Sequence, residues 1–381
     1  MSSEAQLFIT CAPTLEPLLC EELKAMGIPD THVGFRGVYV EKWNWNTIYQ
    51  INYASRLATR VLLPLSRFRC FDQKSLYRHT SELDWSPIFK EGLTFAIDAN
   101  VHHRELRNSL FAAQVMKDAI CDQLRNKTGR RPSVQTQNPD IQLNLFIQQQ
   151  TAVISFDTSG EALHKRGYRQ ESVEAPIKET LAAALLHLAK YQADDVLFDP
   201  CCGSGTILIE AALMATKTPP GFLRRQWGFM HHPRFNTIEW LQVKNAIDAD
   251  RIPLQKNRIS GIDISRNSVR ATKINLKAAG FHHLIPIEIS DFREYRCLPT
   301  PNLIVTNPPH GGRLDDEEQL RPLYRALGQF MKESCSKPGR GYIFTGNLEL
   351  AKEVGLAANR RYELSNGGID SRLLEYNFEP V

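Results

Sequence analysis

Residues 195–215, DVLFDPCCGSGTILIEAALMA, join a short apolar run to a longer one through a turn that contains two glycines. The first run predicts a strand and the second a helix, and glycine lets the backbone of the turn approach a ligand closely. Similar apolar runs recur in RISGIDISRNSVRATKINLKAAG (258–280), NLIVTNPPHGG (302–312) and GRGYIFTG (339–346). Short continuous apolar strands are typical of sheets that helices cover on both faces. The predicted fold class is α/β, a doubly wound sheet with ligand sites at the carboxyl ends of its strands.

Upstream of this region, strands and helices alternate without glycine-rich turns. A strand at 6–12, a helix at 15–27, a strand at 33–41 and a helix within 44–58 are predicted first. A strand at 93–101, a helix at 109–129 and a β-hairpin at 142–157 follow. We therefore expect a small α+β piece over 1–55, a second α+β domain over 56–157 and the α/β domain over 158–381.

The 381 residues carry a net charge of +4, with 42% hydrophobic and 23% charged residues, as in an ordinary globular protein. Neither an apolar run long enough to span a membrane nor a signal-peptide pattern occurs, so a cytoplasmic location is expected. The charge is uneven: residues 1–55 hold three Lys/Arg against six Asp/Glu, whereas residues 56–131 hold fourteen against eight. A local basic excess is what a phosphate-binding surface requires.

The eight cysteines and the paired histidines lack the spacing of metal ligands. No CxxC pair occurs, and the neighbours Cys201 and Cys202 have no spaced partner pair. Adjacent side chains on a strand or helix point in different directions, so paired histidines do not favour one ion either. No metal is predicted.

The turn after the first strand is the strongest sign of a cofactor site. A dinucleotide site would have a third glycine where this chain has Leu208. An acidic residue before the loop instead suits the positively charged amino end of S-adenosylmethionine and would repel a pyrophosphate. The alternative is a tight structural turn. The predicted cofactor residues of this loop are Asp199, Cys201, Gly203, Gly205 and Thr206.

Two later acidic residues also end predicted strands. Asp263, followed by Ile264, could accept both hydrogen bonds of a ribose diol. Asp291, followed by Phe292, could meet an adenine amino group. A carboxylate at a strand end often only caps the next helix or turn, so the structural interpretation stays open for both.

The stretch Asn307-Pro308-Pro309-His310 directly follows the apolar strand LIVT. An exocyclic base amine is a poor nucleophile because its lone pair is delocalised into the ring. An amide oxygen and a backbone carbonyl can accept both of its hydrogens, which favours a localised lone pair, and two prolines keep the turn rigid. We therefore predict Asn307, Pro308, Pro309 and His310 as catalytic residues for amine methylation.

A basic and aromatic segment at 217–235 interrupts the α/β pattern and contains no acid. Cations interleaved with aromatic rings suit an unpaired nucleotide. The alternative is a packed lid with a solvated face. The residues predicted to contact RNA here are Arg224, Arg225 and Trp227.

Taken together, DPCCGSGT (199–206), GIDIS (261–265) and NPPHGGR (307–313) resemble the amino-methyltransferase branch of Rossmann-like methyltransferases. With HKRGYRQESVEAPIKETLAAALL (164–186), PPGFLRRQWGF (219–229) and NGGIDSRLLEYNF (366–378), the chain is similar to bacterial THUMP-domain enzymes that methylate guanine N2 of 23S ribosomal RNA. The resemblance covers nearly the whole chain. It implies a ferredoxin-like piece, a THUMP RNA-binding domain and a catalytic domain that uses S-adenosylmethionine. It also implies substrate contacts by Lys165, Arg166, Arg169 and Arg313, and 23S RNA, naked or in an assembling particle, as the partner.

Two features depart from that family. The family usually has an aromatic residue, most often tyrosine, where this chain has His310. An imidazole still stacks on a base, with less area, so rate or base choice is affected more than reaction type. Larger members carry a second methyltransferase domain after this one, and since the sequence ends at Val381, a second modification is not expected.

Three other functions share parts of this pattern. A DNA adenine-N6 methyltransferase has the same Asn-Pro-Pro chemistry, although no groove-reading element is found here. A protein-glutamine methyltransferase also presents an amide nitrogen, but it would not need the basic N-terminal half. An RNA-binding assembly factor with weak or absent catalysis is favoured only by His310. Cofactor binding separates this last class from the enzymes.

Overall fold

The computed structural model describes residues 6–106, 108–173, 176–309, 311 and 314–380, without the side chains of 314–316. The chain forms two compact units. The first unit contains 1–11, 19–163 and 224–245, and the second contains 12–18, 164–223 and 246–381. No helix of the described chain is both long and apolar enough to cross a membrane.

The first half of the chain contains eight strands and four helices among its described residues. In order they are β1 (Leu7–Thr10), α1 (Glu16–Ala25), β2 (Thr31–Gly34), β3 (Gly37–Val40), α2 (Trp45–Ala54), β4 (Arg60–Arg69), α3 (Gln73–Glu82), β5 (Thr94–His102), α4 (Ser109–Thr128), β6 (Ser133–Val134), β7 (Ile141–Gln148) and β8 (Thr151–Asp157).

The second half follows with α5 (Glu179–Leu188), β9 (Leu197–Asp199), α6 (Thr206–Ala215), a short 3-10 helix (Gly228–His231), α7 (Thr237–Asp248), β10 (Ile259–Asp263), α8 (Arg266–Ala279), β11 (Ile287–Ile289), β12 (Leu303–Thr306), α9 (Leu314–Ser334), β13 (Gly339–Thr345), α10 (Leu348–Lys352), β14 (Arg360–Asn366) and β15 (Ile369–Phe378).

The first unit has one mixed sheet with strand order β2-β3-β1-β4-β8-β7-β5-β6. Side-chain caps define two of its helices: Asn44 accepts a hydrogen bond from Thr47 N before α2, and Asp72 accepts one from Ser75 N before α3. The single strand predicted at 33–41 is wrong. The segment forms the hairpin β2–β3, in which Gly34 pairs with Gly37 and Arg36 takes a positive φ of 56° in the turn.

An aromatic cluster in the first unit depends on the segment 224–245. Phe229 is fully buried and lies 5.0 Å from Tyr49 and 5.2 Å from Trp240, measured between ring centroids. Trp227 stacks on Phe229 at 5.6 Å, and Tyr53 meets Trp240 at 5.4 Å. Buried aromatic rings contribute strongly to stability through area and ring–ring contact. A segment that lies beyond β9 and α6 in sequence therefore completes the core of the N-terminal unit.

Replacing Phe229 by alanine should destabilise this unit by about 3–5 kcal/mol, because the substitution leaves a cavity among aromatic rings. Urea unfolding followed by the fluorescence of the neighbouring tryptophans measures the loss. Ile238→Ala in α7 is the matched control, because Ile238 is 69% exposed, and it should change stability by less than about 0.5 kcal/mol. Equal unfolding midpoints for the two variants would contradict a core role for this segment.

The second unit has one sheet with strand order β11-β10-β9-β12-β13-β15-β14. The first five strands are parallel, and β15 and β14 add antiparallel pairs at the edge. On one face, Phe198 and Ile262 join a buried cluster with Tyr324 and Phe330 of α9. On the other face, Gly261, which precedes Ile262 in β10, packs against α6. A Cβ added at Gly261 would lie 2.7 Å from the Leu208 side chain of α6. Helices therefore cover both faces, which confirms the predicted α/β class.

Candidate active site

The carboxyl ends of four adjacent parallel strands, β11, β10, β9 and β12, open into one cleft of the second unit. The cleft has a volume of about 1540 Å³. Ligands of doubly wound sheets bind at this edge, near the point where the strand order reverses. The residues from the predicted site that line the cleft are Asp199, Cys201, Gly203, Thr206, Asp263, Ile264, Asp291, Phe292, Asn307, Pro308 and Pro309.

The glycine loop between β9 and α6 is held from two sides. Gly203 N donates to the Asp263 carboxylate at 2.9 Å, and the Thr272 hydroxyl of α8 donates to Gly203 O at 2.7 Å. Gly205 has a φ of 80°, and a Cβ there would lie 2.7 Å from the Thr272 methyl group. Only glycine fits this position, so the turn packs tightly against α8. Gly205, predicted as a cofactor residue, is not among the described residues that line the cleft.

Asp199 at the end of β9 is almost completely buried. Its Oδ1 accepts hydrogen bonds from Thr306 Oγ1 at 2.8 Å and from Cys201 N at 3.1 Å. Burial raises the pKa of Asp199 to about 7, although both hydrogen bonds favour the charged form. A buried carboxylate without a neutralising cation is a suitable partner for a positively charged ligand group.

The end of β10 provides a polar and an apolar group side by side. The Asp263 carboxylate accepts from Gly203 N and, through its other oxygen, from Ser265 N at 2.9 Å. Ile264 is 68% exposed and lines the same cleft. A carboxylate beside an exposed apolar side chain fits a sugar next to a flat heterocycle.

The end of β11 has a different arrangement from the one expected. Both Asp291 oxygens accept from Arg293 Nε at 2.9 Å, and these bonds lower the pKa of Asp291. The carboxylate is thus already paired, and an adenine amino group would have to share it. The Phe292 side chain is buried and packs 5.5 Å from Phe330.

Asn307, which follows β12, has an unused hydrogen-bond acceptor. Its Oδ1 is buried, yet no described group donates to it. Such an oxygen costs free energy in the folded protein unless a ligand group donates to it. Pro308 is buried beside it and Pro309 is exposed. The Asn307 amide oxygen can therefore accept a hydrogen bond from a ligand that binds in the cleft.

The three substrate residues predicted around 165–169 are placed differently from one another. Lys165 is exposed. Arg166 is 1% exposed and pairs with the buried Glu210 at 3.5 Å, so it cannot meet RNA. Arg169 uses its donors on Glu179, Ser204, Thr206 and the Ile177 carbonyl. The prediction of RNA contacts is corrected for both arginines: Arg166 anchors α6, and Arg169 supports the cofactor loop.

The residues predicted at 224–227 belong to the first unit, whereas the residues that line the cleft belong to the second. Arg224 donates to the carbonyls of Ser159 and Glu161, at 3.1 and 2.9 Å, and lies over the Trp227 ring. Trp227 is 2% exposed within the aromatic cluster, so an RNA base cannot stack on it, and that prediction is corrected. Arg225 is exposed.

His310 and Arg313 lie outside the described residues. Two residues of the site were missed from the sequence: Thr306, which bonds Asp199, and Thr272, which holds Gly203. Thr306 could have been noticed as the polar end of an otherwise apolar strand, but Thr272 carries no local signal. Among the described residues, no group of histidine, cysteine or acidic side chains is placed to hold a metal.

Comparison with known proteins agrees with this geometry. Residues 166–375 match the family described as "RMKL-like, methyltransferase domain", 71–157 match the THUMP domain and 6–62 match the RlmL ferredoxin-like domain. The chain belongs to the RMKL-like methyltransferase family. The resemblance inferred from the sequence is thereby confirmed.

Among relatives, "Ribosomal RNA large subunit methyltransferase K/L" of Syntrophotalea carbinolica is 36% identical over 99% of this chain and 54% of its own length. The chain spans about half the length of the curated relatives it matches. The crystal structure of SMU.472 with S-adenosylhomocysteine (SAH) is 27% identical, has a TM-score of 0.88 and covers 100% of both chains. A Listeria monocytogenes protein described as a predicted N6-adenine-specific DNA methylase is 29% identical, with a TM-score of 0.85, over 99% of this chain and 96% of its own.

Asp199→Asn should raise stability more at about pH 8 than at about pH 5. Because the folded-state pKa of Asp199 lies near 7, above the ordinary value of 3.8, ionisation weakens the fold as pH rises between these values. The full effect is on the order of 4 kcal/mol. Unfolding in urea at several pH values measures it. Asp291→Asn is the control: its pKa is lowered, so its effect should be constant over this range. Parallel pH profiles for the two variants would contradict the assignment.

Proposed function

We propose that this protein transfers a methyl group from S-adenosylmethionine to an exocyclic amine of RNA, namely guanine N2 of 23S ribosomal RNA. The observation that carries the proposal is the buried Oδ1 of Asn307, to which no described group donates, in a residue that lines the same cleft as the glycine loop. The name of the Syntrophotalea carbinolica relative supports ribosomal RNA as the substrate. The SAH in the SMU.472 structure supports the cofactor.

The residues that line the cleft match the chemical groups of S-adenosylmethionine. Asp199 offers a negative charge for the amino end, and Asp263 with Ile264 offers a carboxylate and an apolar surface for the nucleoside. Gly203 and Thr206 of the glycine loop line the same cleft. When bound, S-adenosylmethionine supplies a methyl group on a positively charged sulfur.

The chain's part in the reaction is to hold the amine. Asn307 Oδ1 and the Pro308 carbonyl can each accept one hydrogen of the NH₂ group, which directs the nitrogen lone pair into the cleft. As the nitrogen becomes positive, both hydrogen bonds strengthen, so they stabilise the transition state more than the ground state. No strong base is needed beforehand, because the proton leaves from the already cationic product.

In the proposed function, each domain of the chain has a separate role. We assign residues 1–55 to a ferredoxin-like piece, 56–157 to RNA binding and 158–381 to catalysis, with 224–245 returning to the first unit. Family matches over 6–62, 71–157 and 166–375 support the order. Arg225 and Lys165, both exposed, stay candidates for substrate contact, as do His310 and Arg313. Cytoplasm, where ribosomes are assembled, is the proposed location.

Adenine N6 is the second candidate for the methylated atom, since the description of the Listeria monocytogenes protein names it. The Asn-Pro-Pro turn can hold either amine. Mass spectrometry of nucleosides from RNA methylated by the protein distinguishes N2-methylguanosine, which we expect, from N6-methyladenosine.

Asn307→Ala should reduce methyl transfer to ribosomal RNA by roughly 10²-fold or more, while SAH binding changes little. Single-turnover transfer and calorimetry with SAH measure the two properties. Asn307→Asp is the matched control, because it keeps an acceptor of the same shape, and it should retain part of the activity. A wild-type transfer rate in Asn307→Ala would mean that the turn is structural and that the proposal is wrong.

Asp263→Ala should weaken SAH binding by about ten- to more than a hundredfold, equivalent to roughly 1.5–3 kcal/mol. The substitution removes the ribose acceptor and also releases Gly203 N from its 2.9 Å hydrogen bond. Calorimetric titration with SAH tests this. Asp250→Ala, an exposed residue of the second unit, should leave affinity unchanged. An unaltered dissociation constant in Asp263→Ala would show that other residues hold the nucleoside.

A further inference from the structure

One face of the sheet in the first unit is not covered by the helices α3 and α4. Phe68 of β4 points to the covered face, where its ring lies 4.7 Å from His79 of α3. Its neighbours Arg67 and Arg69 point to the other face and are exposed, because successive side chains on a strand alternate. The strand register places Arg67 beside Val153 and Phe146, and Arg69 beside Thr151 and Gln148. We call these six residues the open sheet face.

The side chains of the two arginines of this face make no hydrogen bond or ion pair with any described residue. Four other exposed cations of 71–131 are paired with acidic residues: Arg78 with Glu82, Arg125 with Asp122, Lys127 with Asp84 and Arg130 with Glu91. Arg67 and Arg69 therefore add two unpaired positive charges on one face of the sheet to the basic excess of this region.

Phe146 lies between these arginines and the rest of the sheet. Its side chain is half-buried, and the partly exposed positions around it, Val153, Thr151 and Gln148, carry no charge. An aromatic side chain on a flat sheet offers a surface for a base, and amide side chains match base edges. Only an unpaired base presents its flat face to such a surface, so duplex nucleic acid does not fit it.

We propose that the open sheet face binds a single-stranded stretch of RNA, with phosphates on Arg67 and Arg69 and one base on Phe146. The proposal rests on the proposed function, since it names the surface that holds the RNA substrate outside the catalytic cleft. A guanidinium group can form a bidentate pair of hydrogen bonds with phosphate oxygens. The guanidinium groups of Arg67 and Arg69 lie two residues apart on β4 and therefore on the same face.

The test uses the full chain and a fluorescent single-stranded RNA of about 20 nucleotides with mixed sequence, titrated at several salt concentrations. For the double variant Arg67→Gln/Arg69→Gln, loss of two phosphate contacts should reduce the log–log salt slope by about 1.4. At about 0.1 M salt this corresponds to roughly 25-fold weaker binding. Phe146→Leu keeps most of the volume and should weaken binding about fivefold or more without changing the slope.

The matched control is Arg78→Gln/Arg130→Gln, which removes the same charge from paired arginines elsewhere and should change the slope much less. A wild-type slope and affinity in Arg67→Gln/Arg69→Gln would overturn the proposal, as would tighter wild-type binding of the corresponding duplex. Methyl transfer is measured separately. If the wild-type protein methylates no RNA but binds the strand through this face, the proposed function fails and the RNA surface stands. If it methylates RNA and the arginine variant binds normally, only the surface is wrong.

Discussion

The hydrogen bond from Gly203 N to the Asp263 carboxylate ties the loop after β9 to the end of the adjacent parallel strand β10. It depends on a backbone that only glycine adopts easily at Gly205, and on Thr272, which fills the space a side chain would need. Once these contacts form, the loop has one conformation, and its backbone faces the cleft. The other site residues take their positions from neighbouring strands of the same sheet, so the whole site follows from this local arrangement.

In the second unit, the arginines near the site form ion pairs with glutamates, whereas polar groups that line the cleft keep hydrogen-bonding or charge capacity for a ligand. Arg166 with Glu210 and Arg169 with Glu179 are paired and buried, which makes them scaffold. Among the residues that the structure describes, no cation lies beside the buried Asp199 and no group donates to Asn307 Oδ1. Polar groups left unpaired in a folded interior raise its free energy, and a ligand that pairs them recovers that energy on binding. This contrast separates support from site more clearly than residue type does.

Sequence reasoning located the parts of the site that depend on local patterns. The loop at 199–206 and the Asn-Pro-Pro turn each combine a strand end with special backbone residues, so their neighbours in sequence are also their neighbours in space. It was wrong where a distant partner decides the outcome. Nothing near Trp227 indicates that Tyr53 and Trp240 pack against it, and nothing near Arg166 points to Glu210. The hairpin at 31–40 was missed because Arg36 takes a left-handed conformation that its residue type does not suggest.

The return of residues 224–245 to the first unit has a consequence for synthesis of the chain. At about 5–20 residues per second, residues 164–223 delay the missing segment by roughly 3–12 s after residue 163 has been made. During that interval the nascent N-terminal part exposes the apolar rings of Tyr49 and Tyr53. The first unit therefore cannot complete its fold before the ribosome has begun to synthesise the second unit. The core of the first unit is complete only after residues 224–245 have been made.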